Sequence, residues 1–579
     1  MSKDDAVLAH AIAAADTHVA QGDRLAAIAV LFDALVRRPT DADLHFRTGL
    51  LCLEQGQVDD ALRLLHRATA LNPPWLRAWE QLSHTLGLLP NIPHDLVLLK
   101  DVAHAITLRE IDPNGALNVT LKIILGRYGS DTDLTVERFA ADRARPLERV
   151  CQSLLVNFLV HHRAAEVQLE ALLTQIRARF LEAASGTLSG PVADTAIEIL
   201  SALGIHGFHA EYVFDESAQE TALIAAVEAT VRAELATGRM PTLKLAALAA
   251  YRPLLSLGEA AHRLAPAVND PDTFADLIET QIAQPLAERA LGDEIRKLPI
   301  DDAISRRVQA QYEESPYPTW TMPQVSQAEL EAAAAKPAAA ERVLVAGAGT
   351  GRHPLRMARI SPNADITALD LSLASLAYGA RQARSLGIHN VTFVQGDLLN
   401  VATLGQTFDR ISSVGVLHHM AEPARGLAAL KGVLRPGGTI ELGLYTESGR
   451  QAVVAGIALR DQMGLKSTPE DFRRFRRAVR AVPEDHPLAV LRRTGDFFAM
   501  SELRDLVFHV QEHRLTLPQV KALLHGAELK FERFDVSPMV MAHFRVQHPG
   551  AEADIDAWID FESAAPGIFG SMYMFVARS

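Results

Sequence analysis

The sequence predicts a chain in two parts, an all-α front half and a C-terminal α/β domain on a doubly wound parallel sheet. Three observations carry this. Residues recur at a fixed 34-position offset near the N-terminus, apolar residues keep helical spacing through the middle, and apolar strand-like runs alternate with helices after Glu341. The first and last set architecture through repetition and alternation; the second leaves little room for strands between them.

At 579 residues the chain is too long for a single core. Apolar residues make up 48% and charged residues 22%, as in soluble globular proteins. A formal charge of -13 argues against a nucleic-acid partner, because neutralising phosphates needs concentrated basic surface. Cys52 and Cys151 are the two cysteines, too few and too far apart for a disulfide framework or a thiolate metal site. The opening residues lack a signal-peptide core and no apolar run reaches membrane-spanning length, so no membrane and a cytoplasmic location are expected.

In the repeat, Gln21-Gly22 returns as Gln55-Gly56, Ala27 as Ala61, and Pro39 as Pro73. Each glycine falls where a first helix must turn, each alanine where helices approach closely, and each proline where a second helix must stop. A longer third unit runs from Trp75 to Pro113. The pattern resembles tetratricopeptide repeats, and the first domain is set at 1–130. The resemblance implies stacked helix pairs with a groove for a protein or peptide partner, and leaves homo-oligomerisation open.

Residues 131–300 read as a helical middle domain. His161-His162 and the pair His206 and His209 lack a third ligand at a useful spacing, so they are expected to be structural and no metal site is predicted. The segment 301–335 differs. Pro316 and Pro318 stop a helix, Tyr312, Tyr317 and Trp320 crowd an aromatic-poor chain, and an Ala-rich linker follows. This segment is read either as a lid over a ligand pocket or as an aromatic staple between domains.

The last domain is set at 336–579. ERVLVA is an apolar strand followed at once by GAGTGR, with Gly347, Gly349 and Gly351 letting backbone pass close to a ligand on the way into a helix. A second strand ends at Asp370-Leu371, about twenty residues on, where a carboxylate can accept ribose hydroxyls. A third ends at Asp397, placed for an adenine amino group, with Leu398 to cover the ring. FDRISSVGVLHHM and LRPGGTIELGLYT supply the fourth and fifth strands. A dehydrogenase loop would carry Gly or Ala where Arg352 stands.

These motifs resemble class I S-adenosyl-L-methionine (AdoMet) methyltransferases, on a Rossmann-like sheet. With the repeats and the QYEESPYPTW segment, the chain looks like a bacterial group of tetratricopeptide-containing methyltransferases. The resemblance implies AdoMet as cofactor, Gly347, Gly349 and Gly351 at its methionine end, Asp370 at the ribose, and Asp397 and Leu398 at the adenine.

Residues 529–537 and 571–579 should complete the sheet as an antiparallel hairpin, leaving a helical insert over about 451–528. His418 and His419 follow the fourth strand, where a base or acceptor-orienting group belongs. Arg473, Arg474, Arg476, Arg477 and Arg480 cluster in the insert, either as a basic wall for an acidic substrate or as an internally paired helix face. The expected function is methyl transfer to a protein or peptide recruited by the helical half. The alternatives are a small-molecule methyltransferase whose repeats serve assembly, and a non-catalytic AdoMet-binding scaffold.

Overall fold

The computed structural model describes residues 3–91, 95–264, 272–314, 316, 319–320, 325–335 and 340–579. Tyr317 and Pro318, of the expected lid, lie outside the described residues.

The front of the chain is helical. Lys3–Ala20 packs on Arg24–Arg37, and Ala42–Glu54 on Val58–Leu71. The connections are so short that each pair must run antiparallel. At those turns Gly22 has φ +80° and Gly56 φ +74°, the left-handed region a side chain resists. Ala27 and Ala61 are fully buried. Helices Leu76–Gly87, Leu96–Ala105 and Asn114–Tyr128 continue the array, and further helices follow as far as Gln284–Glu294.

The sheet has strands β1 (Arg296–Lys297), β2 (Arg342–Ala346), β3 (Asp365–Asp370), β4 (Val391–Gln395), β5 (Phe408–Val414), β6 (Leu434–Tyr445), β7 (Lys530–Phe534) and β8 (Met572–Arg578). Their order is β1-β4-β3-β2-β5-β6-β8-β7. Pairing is parallel as far as β6; β8 then lies antiparallel between β6 and β7. β2 is buried on both faces from Val343 to Ala346, the pattern of a central parallel strand. Chain direction diverges on either side of β2, so its carboxyl end opens the crevice where this fold takes ligands.

Three local differences from the sequence expectation have simple causes. β1 lies in the region read as purely helical; its Arg-Lys pair offers no apolar signal and joins the sheet only by pairing with Val394 and Gln395. The stretch read as linker holds helix Gln327–Ala334, opened by a capping box between Ser326 and Glu329. Strands β7 and β8 enclose helices Pro538–Gln547 and Ile555–Ala564, so their pairing closes through packing and not through a tight turn.

The insert packs into the helical half. Its helices Gln451–Gln462, Pro469–Arg480 and Met500–Val507 share one apolar core with the helical region from Phe46 to Ile282. The sheet keeps a second core, which includes Phe544 stacked on Trp558 at 3.6 Å between ring centroids.

Candidate functional site

The end of β2 passes into Gly347 at φ +81°, where an added Cβ would meet Val416 Cγ2 at 2.0 Å. The glycine therefore serves both the turn and a close approach to the loop after β5. The next helix, Arg352–Ile360, begins at Gly351 in the left-handed region. Gly349 N–H donates to Asp370 Oδ2 (2.8 Å) and Ser372 N–H to Oδ1 (2.9 Å), fixing the carboxylate at the end of β3. Each oxygen keeps acceptor capacity for a ligand hydroxyl. Burial raises the Asp370 carboxyl above its ordinary value, against the pull of these backbone donors.

At the end of β4, Asp397 is 2% exposed. Its Oδ1 accepts from Leu399 N–H at 3.0 Å, while Oδ2 is buried without a protein partner. A buried orphan acceptor costs free energy unless a ligand donates to it.

These residues line one cavity of about 460 Å³. Gly347, Gly349, Asp370, Leu371, Asp397, Leu398, His419 and Tyr312 all border it. Gly351 does not; it caps the helix behind the loop.

Helix Ala303–Glu314, within the segment read as a lid or a staple, forms a wall and contributes Ile304, Ser305, Val308 and Tyr312 to the lining; of these, sequence reading had named Tyr312 alone. Glu313 on the same helix accepts Leu373 N–H (2.8 Å) and Ala374 N–H (2.9 Å). It thereby anchors that wall to the N-terminus of helix Leu373–Ser385, where a negative charge is favoured. The helix continues through Tyr312, so the wall is continuous with the segment read as a lid. Trp320 sits elsewhere. Its indole N–H donates to Thr350 O at 3.1 Å, and its ring meets Tyr378 edge-on at 6.2 Å, behind the glycine loop. That is a staple's position.

The two adjacent histidines separate in the same way. His418 is fully buried and does not border the cavity. Its ring stacks on Tyr445 at 3.7 Å, and its Nδ1 accepts from Tyr445 N–H at 3.3 Å. Burial holds His418 well below its ordinary pKa, so it is a neutral packing group. His419 faces the cavity. Its Nδ1 contacts Gln511 O at 2.8 Å and must donate there, which leaves Nε2 as a bare lone pair.

Beside His419 stand two residues of the insert, Asp505 and His509. The three bring ligand atoms within 4.8 Å of one another. The His419 and His509 rings, however, stack with centroids 3.7 Å apart. Two imidazoles on one ion, with bonds of about 2.1 Å at tetrahedral angles, hold their centroids roughly 5 Å apart. Gln511 N–H also donates to His509 Nδ1 at 3.1 Å, which puts the His509 proton on Nε2. The cluster reads as stacked neutral rings beside a carboxylate, and its geometry is poor for a metal ion.

Asp505 is 4% exposed and borders the cavity. It accepts a short hydrogen bond from the Tyr312 hydroxyl, across 193 positions of chain. Its neighbours pair elsewhere, Glu502 with Arg163 (2.5 Å) and Arg504 with Glu314 (2.9 Å). Nothing in the local sequence marks Asp505; its position follows from how the insert docks.

That docking uses the arginine cluster. Arg476 is 1% exposed and pairs with buried Glu170, as does Arg480. Burial opposes charge on Glu170, but the two guanidiniums outweigh it and hold the carboxyl below its ordinary range. Arg473 donates to the carbonyls of Tyr212 (2.8 Å) and Phe214 (3.0 Å). Arg474 pairs with Asp471, and Arg477 with Glu470 and Asp215. The cluster faces the chain's own helices.

Residues 343–438 match the methyltransferase domain family. Among relatives, the chain is 33% identical over 202 residues to the uncharacterized protein syc1184_c of Synechococcus sp., covering 33% of this chain and 48% of that protein. It is 36% identical over 107 residues to a demethylmenaquinone methyltransferase of Clavibacter sepedonicus, covering 18% and 42%. The chain thus spans less than half the length of these curated relatives. Among solved structures, PKMT2 from Rickettsia typhi is 16% identical with a TM-score of 0.34, covering 45% of this chain and 54% of that one. The C-terminal part of the chain holds a class I methyltransferase domain, preceded by a mostly helical region.

Proposed function

We propose that this chain transfers a methyl group from AdoMet, with the cavity at the ends of β2, β3 and β4 as the cofactor site. The observation that carries this reading is Asp397 Oδ2, a buried acceptor with no protein partner on the cavity wall, beside a glycine loop and the held carboxylate of Asp370. The three suit an adenosyl group: Asp397 for the adenine amino group, Leu398 for the ring face, Asp370 for the ribose, and the glycine loop for the methionine end. AdoMet bound there supplies an electrophilic methyl on a sulfonium. The protein's part is to hold a nucleophile in line with it and keep water out.

The acceptor is proposed to be a protein or peptide brought in by the helical front, which we read as a tetratricopeptide-like array acting in the cytoplasm. Among the described residues no helix is long and apolar enough to cross a membrane. The 34-position repeat and the glycine-turned helix pairs support this reading. Helix Gln327–Ala334 also ties that array to the cofactor side: Gln327 N–H donates to Glu80 (2.9 Å) and Arg77 pairs with Glu331 (2.6 Å). A small-molecule acceptor is the second reading, favoured by the polar groups that Asp505 and Tyr445 add to the lining of a cavity of small-molecule size.

Calorimetric titration of AdoMet into the full chain, beside Asp370→Ala and Asp397→Ala, tests the cofactor site. Micromolar binding that each substitution weakens at least tenfold is expected. A folded chain that does not bind AdoMet overturns the proposal.

A further inference from the structure

The far end of the cavity holds a buried carboxylate, Asp505, whose one hydrogen-bond partner among the described residues is the neutral hydroxyl of Tyr312. The imidazoles nearest it, His419 and His509, are both shifted toward the neutral form by burial. The nearby arginines are engaged elsewhere: Arg504 with Glu314, Arg163 with Glu502, and Arg450 with Glu512 (2.7 Å). Burial, together with the nearby carboxylates of Glu502 and Asp505, raises the Asp496 carboxyl to about 6. A carboxylate removed from water needs a cationic partner. The stacked imidazoles leave poor geometry for a metal ion, so the cation must come with the ligands.

Resting on the AdoMet reading above, we propose that the acceptor is a primary aliphatic amine that enters as its ammonium, with Asp505 as its receptor and His419 as the base that deprotonates it. The ammonium donates to Asp505, and the rings of Tyr312 and Tyr445 line the space around it. One ammonium proton passes to Nε2 of His419, whose bare lone pair is set by the Nδ1–H bond to Gln511 O. Asp505 stabilises the resulting imidazolium. The freed nitrogen lone pair forms a bond to the methyl carbon as the carbon–sulfur bond breaks. The sulfonium becomes a neutral thioether, the product is a secondary ammonium, and the proton on His419 leaves to solvent. A hydroxyl acceptor would give Asp505 no counter-charge.

Sinefungin tests this without knowledge of the acceptor, because it carries an amine where AdoMet carries the methyl-bearing sulfonium. Its dissociation constant and that of S-adenosylhomocysteine are measured on the full chain in EDTA, so that no metal contributes. The expected result is sinefungin binding at least tenfold tighter than S-adenosylhomocysteine. Asp505→Asn should bring the two within about threefold while leaving S-adenosylhomocysteine unchanged. Equal affinities in the unsubstituted protein, or a preference that survives Asp505→Asn, overturn the proposal. Failure of S-adenosylhomocysteine to bind at all would instead overturn the cofactor reading. Competition against sinefungin by n-butylamine or by an Nα-acetylated lysine amide then separates a free amine from a peptide lysine, the stronger competitor marking the source.

Discussion

The two ends of the cavity are built in opposite ways. At one end, Gly347, Gly349, Asp370 and Asp397 each sit at or within a few residues of a strand's end, and backbone groups hold them. At the other, Tyr312, His419 and Asp505 come from a helix before the sheet, a loop after β5, and the insert. One end is strand-end geometry and moves only if the sheet moves. The other exists because the insert is clamped to the front helices, so a change far from the cavity should damage the second end and spare the first.

Arg476→Ala should give the largest effect. It removes half of a buried clamp and leaves Glu170 short of a partner, a change that costs about 3–5 kcal/mol. Chemical denaturation should show that loss. Hydrogen exchange should quicken across 500–515 before it does across 343–360; equal quickening would erase the distinction between the two ends.

Gly347→Ala strikes the opposite end. Its Cβ would overlap Val416 and its φ would be strained, which together should lower AdoMet affinity on the order of 100-fold, or about 3 kcal/mol. Exchange near Asp505 should change little. An affinity within threefold of the unsubstituted chain would show that the glycine loop is not close to the ligand.

Acidification sharpens the comparison with a smaller effect. Burial lowers His418 and His419 and pushes His509 down to about 4, whereas an unfolded histidine titrates near 6.5. The unfolded state then binds more protons as pH falls from about 6.5 toward 4, so stability held above 6.5 is lost through that window. The slope is at most about 1.4 kcal/mol per pH unit for each fully buried histidine. The far end should loosen first, seen as faster exchange across 415–420 and 500–515 at pH 5 than at pH 7. A pH-independent pattern would mean these rings gain protons without loss of packing.

Legibility in the sequence follows the same division. Strand alternation, the glycine loop and the acidic strand ends are local patterns, and each element appears where its residues stand. The two-residue β1 was not legible, because Arg296 and Lys297 carry no strand pattern and pair only because β4 is beside them. Nor was the capped helix at Gln327, hidden in an Ala-rich stretch that reads equally well as linker. Adjacent histidines looked alike in sequence; only packing buries His418 under Tyr445 and turns His419 to the cavity.

The sequence by itself determined the alternating sheet, the paired front helices and the glycine-loop end of the cavity, because each is written in residues a few positions apart whose backbone geometry is local. Tertiary structure alone decided that Asp505 meets Tyr312, that Glu313 anchors the wall helix, and that the arginine cluster clamps Glu170. Those contacts cross 60 to more than 300 positions of chain. No spacing rule reaches that far; such contacts exist only once burial of apolar faces has brought the segments together.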